Sequence, residues 1–225
     1  MTTAEPNRKP ATTGLVLHWA ARYDLLVWLI TLGRESVLRD RLLQLALLKP
    51  GECVLDVGCG TGTLAIAAKR QVGPAGAVYG IDASPEMIAR ASKKARKANV
   101  EIAFKNGVGE ALPFPDARFD VVLTTVMLHH LPAKARQQCV HDIRRVLKPG
   151  GRVFAVDFGG PEREKKSLLA HFHRHGHVDL RDLIVLFEES GLSVVKRGAV
   201  GISNLQFVLA TVPCCQGLQS ASPTK

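Results

Sequence analysis

The sequence has no long apolar run. Leu25–Leu32 is closed by Arg34 and Glu35, far short of the roughly 20 apolar residues a membrane-crossing helix needs. It also lacks a cysteine framework. Cys53, Cys59, Cys139, Cys214 and Cys215 form neither a C-x-x-C pair nor a disulfide-like spacing, which points to a reducing, cytoplasmic setting. Met1–Pro10 is polar and has no apolar core of a leader, so no signal peptide is expected. Acidic residues are scarce relative to basic ones, 20 against 30, giving a net charge of +10. That balance permits an anionic partner, but no single segment carries it. The clusters Lys93–Lys97, Arg144–Lys148 and Arg163–Lys166 fall on expected helices or their ends, as solvated faces do, so nucleic acid is not the expected partner. His171, His173, His175 and His177 alternate without a cysteine or a paired acid nearby, and no metal is expected there. With 46% hydrophobic and 22% charged residues, the chain is globular, and its 225 residues suit one domain.

What is present centres on Cys53–Ala68. Val54-Leu55-Asp56-Val57 reads as a strand buried on both faces, Gly58, Gly60 and Gly62 follow at once, and Thr63–Lys69 is helix-forming. Strand, glycine-rich turn and helix bring a ligand against bare backbone N–H groups. A dinucleotide fingerprint would need its third glycine where Thr63 stands. Asp56, two residues before the first glycine, opposes a pyrophosphate and suits a ligand carrying positive charge, such as S-adenosylmethionine with its ammonium and sulfonium. On these residues Val54–Gly62 resembles the first signature of class I S-adenosylmethionine-dependent methyltransferases.

The resemblance runs on to Phe158. Ala77–Ile81 reads as the second strand, and Asp82 closes it. Taken alone, Asp82 is either a loop acid capping the next helix or an acceptor for both ribose hydroxyls of a nucleoside; after a glycine loop the second role is favoured. Ser84-Pro85-Glu86 then starts a helix over Pro85–Ala98, with Ser84 as N-cap. Val100–Lys105 alternates as a third strand. Gly107–Phe114 is similar to the family's stretch beside the adenine, although Val108 stands where the family usually has an acid. Phe119–Thr125 is a fourth strand, and the turn Val126–Pro132 with His129-His130 matches a segment common in small-molecule methyltransferases. No Asn-Pro-Pro-Tyr motif follows that strand, which argues against enzymes that methylate adenine or glutamine amides. Leu147–Gly151 leads into a fifth strand at Val153–Asp157. The resemblance implies cofactor contacts from Asp56, Gly58, Gly60, Thr61, Gly62, Asp82, Ala83, Gly109, Glu110 and Thr125. His130, and less directly His129, is the candidate general base, because neutral imidazole takes a proton near pH 7.

The expected fold is α/β: a Rossmann-like, seven-stranded, mostly parallel sheet with helices on both faces and an antiparallel last strand. Residues 1–14 are expected as a tail. A single domain over 15–212 divides into a helical cover (15–50), a cofactor core (51–158) and a substrate-side insertion with closing strands (159–212), and 213–225 form a second tail. Helices are expected at Leu15–Leu32 and Glu35–Leu48, a further one at Leu180–Ser190, and the closing strands at Val194–Val200 and Gln206–Thr211. Tyr23-Asp24 followed by apolar residues is similar to the start of the ubiquinone/menaquinone C-methyltransferase-like branch. The implied activity is methyl transfer from S-adenosylmethionine, by in-line displacement, to a small acceptor. The apolar Leu25–Ile30, with Trp28, suggests that the acceptor is itself apolar or aromatic. Two other readings stay open: a degenerate methyltransferase fold that binds nucleic acid through its basic surface, and a nucleotide-cofactor oxidoreductase. Peripheral contact with a membrane surface is also left open.

Overall fold

Two strands with almost wholly buried side chains, β1 (Cys53–Val57) and β4 (Phe119–Thr125), pair in parallel at the centre of the molecule. Aliphatic residues on both faces of a strand require cover on both sides, and the chain supplies it with helices. The computed structural model describes Gly14 and residues 35–159, 179–202 and 204–214. In chain order the other elements are α1 (Glu35–Leu45), α2 (Thr63–Val72), β2 (Ala77–Asp82), α3 (Pro85–Lys97), β3 (Ala103–Asn106), α4 (Ala133–Val146), β5 (Leu147–Phe158), α5 (Leu180–Glu189), β6 (Ser193–Ala199) and β7 (Leu205–Thr211).

The seven-stranded sheet runs β3-β2-β1-β4-β5-β7-β6, parallel through β5. β7 is antiparallel to both β5 and β6 and lies between them, as a closing hairpin must. Successive side chains alternate between two cores. Leu55, Val57 and Val122 meet Val140 and Ile143 of α4 and Phe187 of α5, whereas Val54, Val121 and Leu123 meet Leu43 of α1 and Ala65 and Ala68 of α2.

Several boundaries differ from the sequence expectation, three of them for reasons visible in the bonding. α1 ends at Leu45 rather than Leu48, because Leu47 turns into the left-handed region (φ 56°) and the Ala46 and Leu47 carbonyls accept from Arg152 instead. β3 begins only at Ala103, where pairing with Tyr79 starts. β5 begins at Leu147, since Leu147 already pairs with Phe119 before an irregularity in the register. α2 also continues three residues past Lys69. The expected helix Leu15–Leu32 and the run His171–His177 lie outside the described residues.

Candidate functional site

Because β1 to β4 are parallel, the loops that follow them emerge at one edge of the sheet. β1 leads on to β2 on one side of it, while its other neighbour is β4, so a crevice opens at their carboxyl ends. A cleft of about 130 Å³ lies there. Gly58 and Gly60 line it from the first loop, Asp82 and Ala83 from the second, Gly107 to Glu110 from the third, and Thr125, Met127 and His130 from the fourth.

The glycine loop favours glycine at each of its three turns. Gly58, Gly60 and Gly62 have φ of 73°, 52° and 77°, a region that costs L-residues energy and glycine none. At Gly58 an added Cβ would lie 2.4 Å from Met127 Cγ, and at Gly62 it would lie 2.8 Å from both Ala91 Cβ and Phe104 Cζ. Gly62 caps α2 without a side-chain bond to its first turn, so no side-chain cap covers that helix end. Lys94 Nζ donates to Thr61 Oγ1 at 2.8 Å, which ties the loop to α3.

Two carboxylates sit at this loop in different states. Asp82 Oδ2 accepts from Gly60 N at 2.8 Å and Oδ1 from Ser84 N at 2.9 Å. Burial raises its pKa, and those two N–H groups pull it back. Each oxygen keeps a lone pair free of these bonds. Asp56 is enclosed, 1% exposed, and neither oxygen has a hydrogen-bond partner among the described residues. Burial, then repulsion from Asp82, pushes it up to about 7. The sequence expectation of a plain carboxylate under the loop is therefore modified: enclosure favours the protonated form of Asp56.

The fourth loop carries the polar group on the opposite wall. Val126 has φ 53°, strained for a β-branched residue by about 1–3 kcal/mol. Its N–H is anchored to Val156 O at 2.7 Å, and a short 3₁₀ turn, Leu128–His130, follows. His129 does not line the cleft. Its Nδ1 is 2.7 Å from Asp157 Oδ1, and its backbone N–H donates to Asp157 Oδ2 at 3.1 Å. A carboxylate only accepts, so His129 carries its proton on Nδ1. The His129 and His130 rings touch with centroids 3.9 Å apart and planes tilted by 47°, and His130 is the one facing the cleft.

The structure thus gathers Gly58, Gly60, Asp82, Ala83, Gly109, Glu110, Thr125 and His130 around one cleft. Asp56, Thr61, Gly62 and His129 stand behind the wall rather than in it. Sequence reasoning missed Met87 and Met127, which line the cleft, and Asp157, which fixes His129. Asp157 had a signal: it is the polar residue at the end of an apolar strand next to β4. Met127 had none, because its contact with Gly58 exists only in three dimensions. Gly14, expected at the end of a tail, also borders the cleft.

A family model described as a methyltransferase domain matches residues 54–151. The chain is 38% identical over 144 residues to a demethylmenaquinone methyltransferase of Lactobacillus johnsonii, covering 63% of this chain and 58% of the relative. It is 30% identical over 165 residues to a ubiquinone/menaquinone biosynthesis C-methyltransferase of Shewanella frigidimarina, covering 72% and 65%. The chain spans about three-fifths of the length of these curated relatives. Among solved structures, an S-adenosylmethionine-dependent methyltransferase of Aquifex aeolicus superposes with a TM-score of 0.65 at 26% identity, covering 77% of this chain and 89% of the other. With the fold and the glycine loop, these likenesses identify residues 54–151 as a methyltransferase domain, similar in sequence to the quinone C-methyltransferases and in fold to S-adenosylmethionine-dependent methyltransferases.

Proposed function

We propose that this protein is an S-adenosylmethionine-dependent methyltransferase that acts on a small, apolar or aromatic acceptor, a quinone precursor or a related phenol. The observation that carries the reading is one cleft with three elements: the left-handed glycine loop, Asp82 bonded to Gly60 and Ser84, and His130 on the opposite wall. The chain's own groups fit the cofactor. The free lone pairs of Asp82 suit two ribose hydroxyls. The unpartnered, enclosed Asp56 beside the loop suits a ligand that brings positive charge there. Ala83, Gly109 and Glu110 would flank the base, with Met87 and Val108 as apolar neighbours. Thr125 would face the same ligand from the end of β4. Thr61 and Gly62 act from behind, by holding the loop in shape.

When bound, S-adenosylmethionine supplies a methyl group already activated by its sulfonium. The protein's share is then alignment, exclusion of water and management of one proton. Val126, Met127 and Leu131 give the wall around His130 an apolar surface, which favours an apolar or ring-bearing acceptor. His130 takes the proton from the acceptor's O–H or acidic C–H. Asp157 and His129 are positioning residues: the carboxylate fixes the His129 ring, and that ring supports His130. The quinone precursor is suggested by the names of the relatives from Lactobacillus johnsonii and Shewanella frigidimarina.

Calorimetric titration with S-adenosylhomocysteine and with NADH tests the cofactor, and methyl transfer to demethylmenaquinone and simple phenols tests the acceptor. Binding of S-adenosylhomocysteine alone, with transfer to at least one such acceptor, is expected. Tight NADH binding would overturn the reading in favour of an oxidoreductase. Nucleic-acid binding that falls steeply with salt, without S-adenosylhomocysteine binding, would overturn it in favour of a binding module.

A further inference from the structure

The third loop of the cleft, Gly107–Phe114, contributes four lining residues yet contains no helix or strand. It is a span between two anchors. At its start Gly107 N donates to Asp82 O at 3.0 Å, and Asn106 Nδ2 donates to the carbonyls of Asp82 and Ala83. Within it, Ala111 N donates to Val108 O, long at 3.4 Å, and Phe114 N donates to Leu112 O at 2.8 Å. Its far end is gripped by α4. Arg145 Nη2 donates to Leu112 O at 3.0 Å, and Nη1 donates to Phe114 O and to Asp116 Oδ1, each at 2.8 Å. Arg145 is itself oriented by Asp142, one turn earlier on α4, through Nε to Oδ1 at 2.8 Å and Nη2 to Oδ2 at 3.1 Å. Asp142 Oδ2 also accepts from Leu112 N, so both backbone groups of Leu112 belong to the pair.

We infer that the Arg145–Asp142 pair sets the affinity of the cleft for its cofactor, as a positioning device outside the cleft. This rests on the cofactor reading above. The reasoning is geometric. A planar guanidinium with five donors in a fixed fork can hold two carbonyls and two carboxylates at once, and an ammonium with three donors on a flexible stem cannot hold all four. Two residues before Leu112 lies Glu110, and before it Gly109, whose Cα packs so tightly that an added Cβ would lie 2.9 Å from Cys139 Sγ, also on α4. The wall from Gly107 to Glu110 therefore takes its register from α4 at two levels, Cys139 above and Arg145 below. Freed at its lower anchor, the span would sample positions that do not complete the cleft. Ligand binding would then carry the cost of ordering it.

A second arginine provides the control. Arg152 makes a comparable set of bonds, to the Ala46 and Leu47 carbonyls and to both oxygens of Glu52, but it holds α1 against the start of β1, away from the cleft. Its loss should affect stability, not ligand binding.

The experiment measures S-adenosylhomocysteine affinity by calorimetry in the full chain, well below the melting temperature of each variant. Arg145→Met keeps an apolar stem and removes every donor; a loss of tenfold or more in affinity is expected. Arg145→Lys should recover only part of it. Asp142→Asn, milder because it keeps an oxygen for Leu112 N, should cost threefold or more. Arg152→Met should lower the melting temperature yet bind within twofold of the parent. In transfer assays Arg145→Met should raise the cofactor KM, with kcat recovered at saturation. Affinity unchanged in both Arg145→Met and Asp142→Asn overturns the inference, as does an equal loss in Arg152→Met. If the parent itself does not bind S-adenosylhomocysteine, the cofactor reading fails, a separate outcome. If Arg145→Met does not fold, Asp142→Asn and Arg145→Lys decide.

Discussion

Replacing Asp56 with Asn tests the electrostatics of the site most directly. The carboxyl is fully enclosed, both oxygens lack partners among the described residues, and its pKa stands at about 7 against an ordinary 3.8. A carboxyl whose pKa is raised on folding binds more protons in the folded than in the unfolded chain. Its contribution therefore falls as pH rises from the unfolded value to the folded one, and above about 7 the full penalty of a buried charge is present. The shift as a whole corresponds to about 4 kcal/mol, of which about 2–3 kcal/mol develops between pH 5 and pH 8. Asn cannot ionise, so its constant cost, the packing of an amide without partners, cancels when two pH values are compared. Urea denaturation at pH 5 and pH 8 should show the parent losing about 2–3 kcal/mol relative to Asp56→Asn, or roughly 5–10 °C in relative melting temperature. A ligand that brings an ammonium close to Asp56 favours the ionised form. S-adenosylhomocysteine binding to the parent should thus tighten up to about tenfold from pH 6 to pH 8 and release a proton, and the variant should lose this dependence. Parallel stability profiles for parent and variant would refute the reasoning, because they would mean that Asp56 is solvated or paired.

Three further outcomes are expected. His130→Ala should leave S-adenosylhomocysteine affinity within a factor of two and lower kcat by about 10²–10⁴, as loss of a general base does; an unchanged kcat would remove His130 from the chemistry. Asp157→Asn places an amide against the three N–H groups that this carboxylate accepts, from His129 N, His129 Nδ1 and Phe158 N. It should cost about 1–3 kcal/mol of stability and lower kcat more than it changes cofactor KM, which a thermal melt and steady-state kinetics would check. Gly62→Ala meets both a left-handed φ of 77° and Ala91 Cβ at 2.8 Å. It should destabilise by about 1–3 kcal/mol and abolish measurable cofactor binding, whereas Gly51→Ala, left-handed with nothing within 4 Å, should bind normally.

The architecture was largely legible in the sequence because it depends on local pattern. Val54–Val57 and Phe119–Thr125 are too apolar on both faces to lie anywhere but the middle of a covered sheet, and strands alternating with helices leave a parallel order as the short solution. The glycines at 58, 60 and 62 and the acid at 82 were legible for the same reason: each requirement is set by its own backbone or by a fixed chain distance. Boundaries were less so, because Arg152, distant in sequence, captures the carbonyls that would have continued α1.

What only the tertiary structure decided concerns partners far apart along the chain. The sequence put His130 ahead of His129 without showing what separates them; Asp157, 28 residues on, takes His129 into a part-buried pair and leaves His130 at the cleft. Asp56 looked like a plain anion, and complete enclosure beside Asp82 changes its protonation. Arg145 looked like one residue in a solvated basic cluster. The fold turns it onto the carbonyls of Leu112 and Phe114, because α4 runs alongside a loop that is neither helix nor strand. A side chain's type and period fix which element it joins, whereas its charge state and its role depend on which groups the closed fold brings within a few ångströms of it.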